Sequence, residues 1–159
     1  MKTAALVIAA GASGALAGVT AFEATIDGAQ SGTPSTATGV LTGEYDSVAN
    51  TFSFSWDITG PLLGDQTVSH IHRAPLGQSG GVVFGFNDPG GGWPLSGSAV
   101  WTNLTSENVT DLFAGNFYAN FHTSAHPGGE IRGQIFVVPA PAGLGAIGLA
   151  GLCAARRRR

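Results

Sequence analysis

Residues 51–58, Thr-Phe-Ser-Phe-Ser-Trp-Asp-Ile, place Phe52, Phe54, Trp56 and Ile58 at every second position with small polar residues between them. Successive side chains of a strand point to opposite faces, so this pattern predicts an antiparallel strand with one face buried and the other wet. Such a strand needs partners, and the chain supplies them. Residues 36–45 carry Thr36, Thr38 and Thr42 with Val40, and they join the first strand through Asp46-Ser47-Val48-Ala49-Asn50, whose Asp, Ser and Asn suit a hairpin turn. Further strands are expected at 67–72, 81–86, 96–102, 116–123 and 130–137. Pro- and Gly-rich connections such as Asn87-Asp88-Pro89-Gly90-Gly91-Gly92 separate them. Seven short strands at this spacing predict an all-β fold, an antiparallel Greek-key β-sandwich or barrel.

One short helix is expected among them, over residues 106–114. Thr105 fits its N-cap, Leu104 and Val109 stand at the positions of a hydrophobic staple, and Gly115 fits the residue that ends the last turn. The helix is expected to plug one end of the sheets. Only 11% of the 159 residues are charged while 25 are glycine, which fits one turn-rich β domain. Trp101 and Trp93 read as core residues, and the glycines at 28, 80, 81, 128, 129 and 133 as turns or bulges, since none opens a helix after a strand.

The two ends read as targeting segments. Met1-Lys2 is a short positive start, residues 4–17 are uncharged and rich in Ala, Gly, Leu and Val, and Ala15-Leu16-Ala17 or Val19-Thr20-Ala21 offers a small-residue cleavage site. Residues 1–21 therefore resemble a secretory signal peptide. Residues 138–159 begin Val138-Pro139-Ala140-Pro141-Ala142, continue through an apolar run and finish on Arg156 to Arg159. The run is shorter than the roughly 20 residues of an independent span, so transient membrane association is expected, with the arginines on the cytoplasmic side. This tail resembles a PEP-CTERM-type sorting signal, which implies processing by an exosortase-type enzyme; Ala140 stands where that family has Glu. The single cysteine, Cys153, lies in the tail, leaving the body, residues 22–137, without a disulfide of its own. Setting the ends aside leaves Arg73 and Arg132 against ten acidic side chains, a balance that disfavours nucleic acid.

The four histidines fall into two clusters, His70-Ile71-His72 and the segment Asn120-Phe121-His122-Thr123-Ser124-Ala125-His126. A His-x-His strand holds two imidazoles on one face, roughly 7 Å apart at their backbones. On the second strand Tyr118, Asn120 and His122 share a face expected to look outward, opposite Phe117, Ala119 and Phe121. If the two strands are neighbours, His70, His72 and His122 converge on one patch suited to copper or zinc. Water, Asn120, Glu130 or His126 would complete the ligand set. The same residues equally suit a structural network in which Asn120, His122, Thr123, Glu130 and Arg132 brace the turn at Pro127-Gly128-Gly129. Glu130 and Arg132, two apart on one strand face, are expected to form an ion pair or hydrogen bonds.

The body from Phe22 to Phe136 resembles a CHRD domain, a module first described as a repeat in chordin. Phe22-Glu23-Ala24-Thr25-Ile26-Asp27-Gly28 opens the likeness, and Val68-Ser69-His70-Ile71-His72-Arg73-Ala74-Pro75-Leu76-Gly77 carries it through the middle. Asp111 to Thr123 and Gly128-Gly129-Glu130-Ile131-Arg132-Gly133-Gln134 close it. Arg73 stands where the family commonly has Gly. The resemblance implies an exported all-β domain and no established reaction. The chain carries no nucleophile motif and no paired carboxylates at a recognisable spacing, so a noncatalytic role is expected. Two functional readings follow. One is an envelope or extracellular-matrix module in bacteria that binds a protein or polysaccharide at the cell surface; the other is a copper- or zinc-binding protein.

Overall fold

A computed structural model describes residues 18–86 and 94–139. The tail from residue 140, most of the expected leader, the connection at 87–93 and Trp93 lie outside the described residues. Among the described residues eight strands form one sheet: β1 (Val19–Asp27), β2 (Thr38–Asp46), β3 (Thr51–Thr59), β4 (Gln66–Arg73), β5 (Gly81–Gly85), β6 (Ser96–Thr102), β7 (Phe117–Thr123) and β8 (Ile131–Val137). A one-turn helix α1 (Gly28–Ser31) follows β1, and α2 (Ser106–Phe113) precedes β7. The strand order is β5-β4-β7-β8-β1-β2-β3-β6 with every neighbouring pair antiparallel.

The sheet curls into a nearly closed barrel, so of the two expected architectures it is the barrel. Its two end strands meet through rings: Phe84 of β5 packs on Trp101 of β6 at 5.4 Å and edge-on to Phe54 at 5.6 Å. Aromatic burial holds this seam where ladder hydrogen bonds hold the other strands together. The period-two strand fills the interior as expected, with Phe52, Phe54, Trp56 and Ile58 all buried. Trp101 is likewise a core residue. Space for these side chains comes from glycines directly across the ladder, Gly39 opposite Ile58, Gly43 opposite Phe54 and Gly97 opposite Trp56. A Cβ on Gly43 would stand 2.7 Å from the Phe52 ring, and one on Gly97 2.8 Å from the Trp56 ring.

Turn chemistry follows the residues. Asp46 accepts hydrogen bonds from the Val48 and Ala49 N–H groups at 2.7 and 3.0 Å, which closes the β2–β3 hairpin. Thr105 caps α2 by accepting from Asn108 N at 3.2 Å, and Gly115 ends it at φ +70°. Arg73 pairs with Glu107 and Asp111 of that helix at 2.7 and 3.0 Å, tying β4 to α2.

Three sequence expectations fail here. Gly28, read as a turn or bulge that opens no helix, is the first residue of α1 directly after β1. β1 was not foreseen beside the other seven strands; it alternates Phe22, Ala24 and Ile26 inward, but with small Ala24 at the centre the pattern is weak. Gly133 is neither turn nor bulge: it lies inside β8, where a Cβ would meet the Thr25 carbonyl at 2.5 Å, so it permits close approach of β1. Among the described residues no helix is long and apolar enough to cross a membrane.

Overfilling the barrel is expected to cost more than changing its wet face. Gly43→Val should lower unfolding stability by about 1–3 kcal/mol, whereas Val40→Thr on the outer face should stay within about 0.5 kcal/mol. Urea unfolding midpoints check this, and equal midpoints for Gly43→Val and the parent would contradict the packing argument.

Candidate metal centre

Strands β4 and β7 are neighbours. In their ladder Val68 stands opposite His122, His70 opposite Asn120 and His72 opposite Tyr118, so alternation sets all six on the outer side of the barrel. The three rings form a near-equilateral triangle: centroids are 5.5 Å apart for His70 and His72, and 5.4 Å for each with His122. One ligating nitrogen from each lies within 4.8 Å of the other two.

Two of the rings are held by backbone carbonyls. His72 Nδ1 donates to the Gly80 carbonyl at 2.9 Å, and His122 Nδ1 donates to the Pro127 carbonyl at 2.8 Å. A carbonyl can only accept, so Nδ1 carries the proton in both rings and, when neutral, each Nε2 presents a lone pair. Those two Nε2 atoms face one another at 3.2 Å. Facing lone pairs repel unless a shared proton or a cation sits between them. Ligand nitrogens about 2.0–2.1 Å from a tetrahedral ion stand roughly 3.3 Å apart, which the observed separation matches. The Nδ1 bonds also reproduce the carbonyl-braced imidazoles usual around bound metals. A competing contact exists: Asn120 Nδ2 lies 3.3 Å from His122 Nε2 while donating to the Gly128 carbonyl at 3.2 Å.

The environment favours the neutral form of His70 and of His72. Burial lowers the pKa of His70, and the charges of His122 and His72 add to it. Burial also lowers that of His72; the Gly80 carbonyl opposes this, and the His122 and Arg132 charges reinforce it.

The polar face of β7 does not look into solvent as the alternation implies. It is covered by loops, and His72, Asn120, His122, Arg132 and Gln134 are all buried. Gly80 shapes the β4–β5 loop that does this, since a Cβ there would stand 1.7 Å from the Arg73 carbonyl. Its N–H donates to the Tyr118 hydroxyl at 3.2 Å while its carbonyl holds His72, so a glycine read as a turn residue is also the brace of a ligand. Tyr118 stacks on His72 at 5.1 Å with planes 13° apart, and the Arg132 guanidinium lies 3.5 Å from the centre of the same ring.

The remaining expected residues go elsewhere. Of the ion pair or hydrogen bonds expected of Glu130 and Arg132, the structure has hydrogen bonds, each side chain with its own partners. The Glu130 carboxylate accepts from Ser35 Oγ at 2.6 Å, Leu63 N at 2.8 Å and Thr123 Oγ1 at 2.8 Å, which fastens the β1–β2 and β3–β4 connections to β7. With its oxygens so engaged, Glu130 is not among the grouped ligands. His126 is also outside that group: the turn before Pro127 carries it toward Glu130, on which its charge acts, and its N–H donates to Thr123 Oγ1 at 3.1 Å. The bracing bonds around Pro127, Gly128 and Gly129 come from His122 and Asn120.

The residues described so far define a single-barrel β domain with a cluster of three imidazoles under its loops. Residues 22–135 match the family model of the CHRD domain, and the chain belongs to that family. No curated protein and no solved structure matches it.

Glu130 yields a test of the loop anchors. Burial works to raise its carboxyl, but hydrogen bonds from Ser35, Leu63 and Thr123 and the His126 charge bring it below its ordinary 4.5. A carboxyl lowered in the folded state contributes stability in full above that ordinary value and loses it as pH falls through the native one. Glu130→Gln is therefore expected to cost about 1–3 kcal/mol at pH 7 and to lose less stability than the parent between pH 5 and about 2. Parallel pH–stability curves for the two proteins would contradict this.

Proposed function

We propose that this chain is an exported, noncatalytic CHRD module whose binding chemistry centres on a copper or zinc ion held by His70, His72 and His122. The supporting observation is the pair of Nε2 lone pairs 3.2 Å apart with both Nδ1 atoms committed to carbonyls. Three neutral nitrogen donors without a thiolate suit zinc or copper(II) and leave a position for water or for a donor from a partner at the cell surface. CHRD domains occur in extracellular and secreted proteins, which supports export. The acidic body and the leader-like and tail-like ends agree with delivery to the bacterial envelope or surface, where an exosortase-type enzyme would act on the tail.

Calorimetric titration of the full chain with zinc and with copper(II) is expected to give one saturable site. His70→Ala, His72→Ala and His122→Ala should each abolish it, while His126→Ala should leave it intact. Gly80→Ala, which disturbs the brace on His72, should weaken binding about 10–100-fold. Failure of the parent chain to bind either metal above the level of its triple histidine variant would overturn the proposal.

The register of β1 bears on export. Val19, Thr20 and Ala21 pair with Asp46, Tyr45 and Glu44, and Gly18 N donates to Ser47 Oγ at 3.0 Å. Leader cleavage after Ala17 keeps this end of the strand, whereas cleavage after Ala21 removes it. N-terminal sequencing of exported protein is expected to begin at Gly18; a start at Phe22 would contradict that reading.

A further inference from the structure

Beside the imidazoles lies a second feature that the metal reading does not use. Arg132 is buried, yet among the described residues no carboxylate lies within 4.0 Å of its guanidinium. Its ladder partner, Asp27, turns away to accept from Gln30 N and Nε2 at 2.8 and 3.2 Å. Arg132 Nη1 donates to the Gln78 carbonyl at 2.9 Å and Nη2 to Gln134 Oε1 at 3.2 Å. A guanidinium has five N–H groups, so these bonds leave donors to spare. The Tyr118 ring offsets part of the cost of burying the charge, but a buried cation is ordinarily matched by an anion.

Arg132 lines a cleft of about 330 Å³ where three loops converge: α1 supplies Gln30 and Ser31, the β4–β5 loop supplies Ser79, and the turn before β8 supplies Gly128 and Gly129. Apart from Ala29, the Tyr118 ring and Arg132 itself, its lining is hydroxyl, amide and glycine backbone. One wall holds Asn120, whose Oδ1 is buried without a donor. A spare guanidinium asks for a carboxylate, and the amides and hydroxyls around it ask for a ligand that also donates. We infer that the cleft between α1, the β4–β5 loop and the β7–β8 turn binds a small hydroxycarboxylate of the sugar-acid class, its carboxylate on Arg132 and its hydroxyls on the surrounding amides and serines. Arginine suits this role because its planar fork can take both carboxylate oxygens. The site lies beside the metal centre, sharing the Asn120 wall and the Tyr118 ring that stacks on His72.

Galacturonate is a direct probe, titrated by calorimetry into the full chain in the presence of a chelator so that the outcome is independent of metal. Saturable binding is expected, with galactose and inorganic phosphate each at least about tenfold weaker, since one lacks the carboxylate and the other the hydroxylated ring. Arg132→Gln should weaken galacturonate by about tenfold or more. Ser79 is exposed, so Ser79→Asp is a variant expected to fold; its carboxylate should occupy Arg132 and abolish binding. Polygalacturonate at equal uronate concentration separates sources: binding by the polymer assigns a residue within a chain, and binding by the monomer alone assigns a free sugar acid. No saturation by either form, phosphate binding as well as galacturonate, or undiminished binding in Ser79→Asp would overturn the inference.

Discussion

Strand β7 is buried on both sides, and much of the molecule is organised around that condition. Its inner face, Phe117, Ala119 and Phe121, belongs to the barrel core, while its outer face carries Tyr118, Asn120 and His122 under loops. An apolar outer face would have been simpler to cover. Polar groups removed from water must find partners, and here they do so with loop carbonyls: Gly80 for His72, Pro127 for His122, Gly128 for Asn120 and Gln78 for Arg132. The same bonds that fasten the loops thereby fix imidazole tautomers and set a guanidinium at the wall of a cleft. Structure and binding chemistry are coupled through one strand.

Much of the barrel was legible in the residues, because alternation is a short-range signal. Phe52 to Ile58 declared a half-buried strand, the turn at Asp46 to Asn50 declared a hairpin, and Thr105 with Gly115 bracketed a helix. The missing strand, β1, alternates around small Ala24 and overlaps the leader-like stretch, so neither period nor composition singled it out. Strand order was not legible. Placing β4 beside β7 depends on contacts nearly 50 residues apart in sequence, and no local pattern encodes that choice.

The site was legible to the same degree. The His-x-His spacing gave the shared face of His70 and His72, and parity gave His122, but their convergence rested on the unseen strand pairing. Loop burial was missed because alternation reports which side a residue faces and not what covers it. Spacing alone left Glu130 and Arg132 as an ion pair or as hydrogen-bonding groups, and hydrogen bonds are what they form. A serine, a threonine and a backbone N–H claimed the carboxylate first, and a tyrosine ring with two oxygen acceptors claimed the guanidinium. Membership of the CHRD family explains why so many of these residues sit in recognisable segments, while the binding partner has to be argued from the geometry of the cluster.

The central claim is that His72 and His122 hold their protons on Nδ1 and turn two Nε2 lone pairs toward a common point. Long-range proton–nitrogen NMR of the histidine rings reads this directly at neutral pH. Both residues are predicted to show the Nδ1–H tautomer in the apo protein, with their Nε2 signals moving together with one from His70 when one equivalent of zinc is added. Nε2–H tautomers at His72 and His122, with no coordinated movement on zinc addition, would contradict the account.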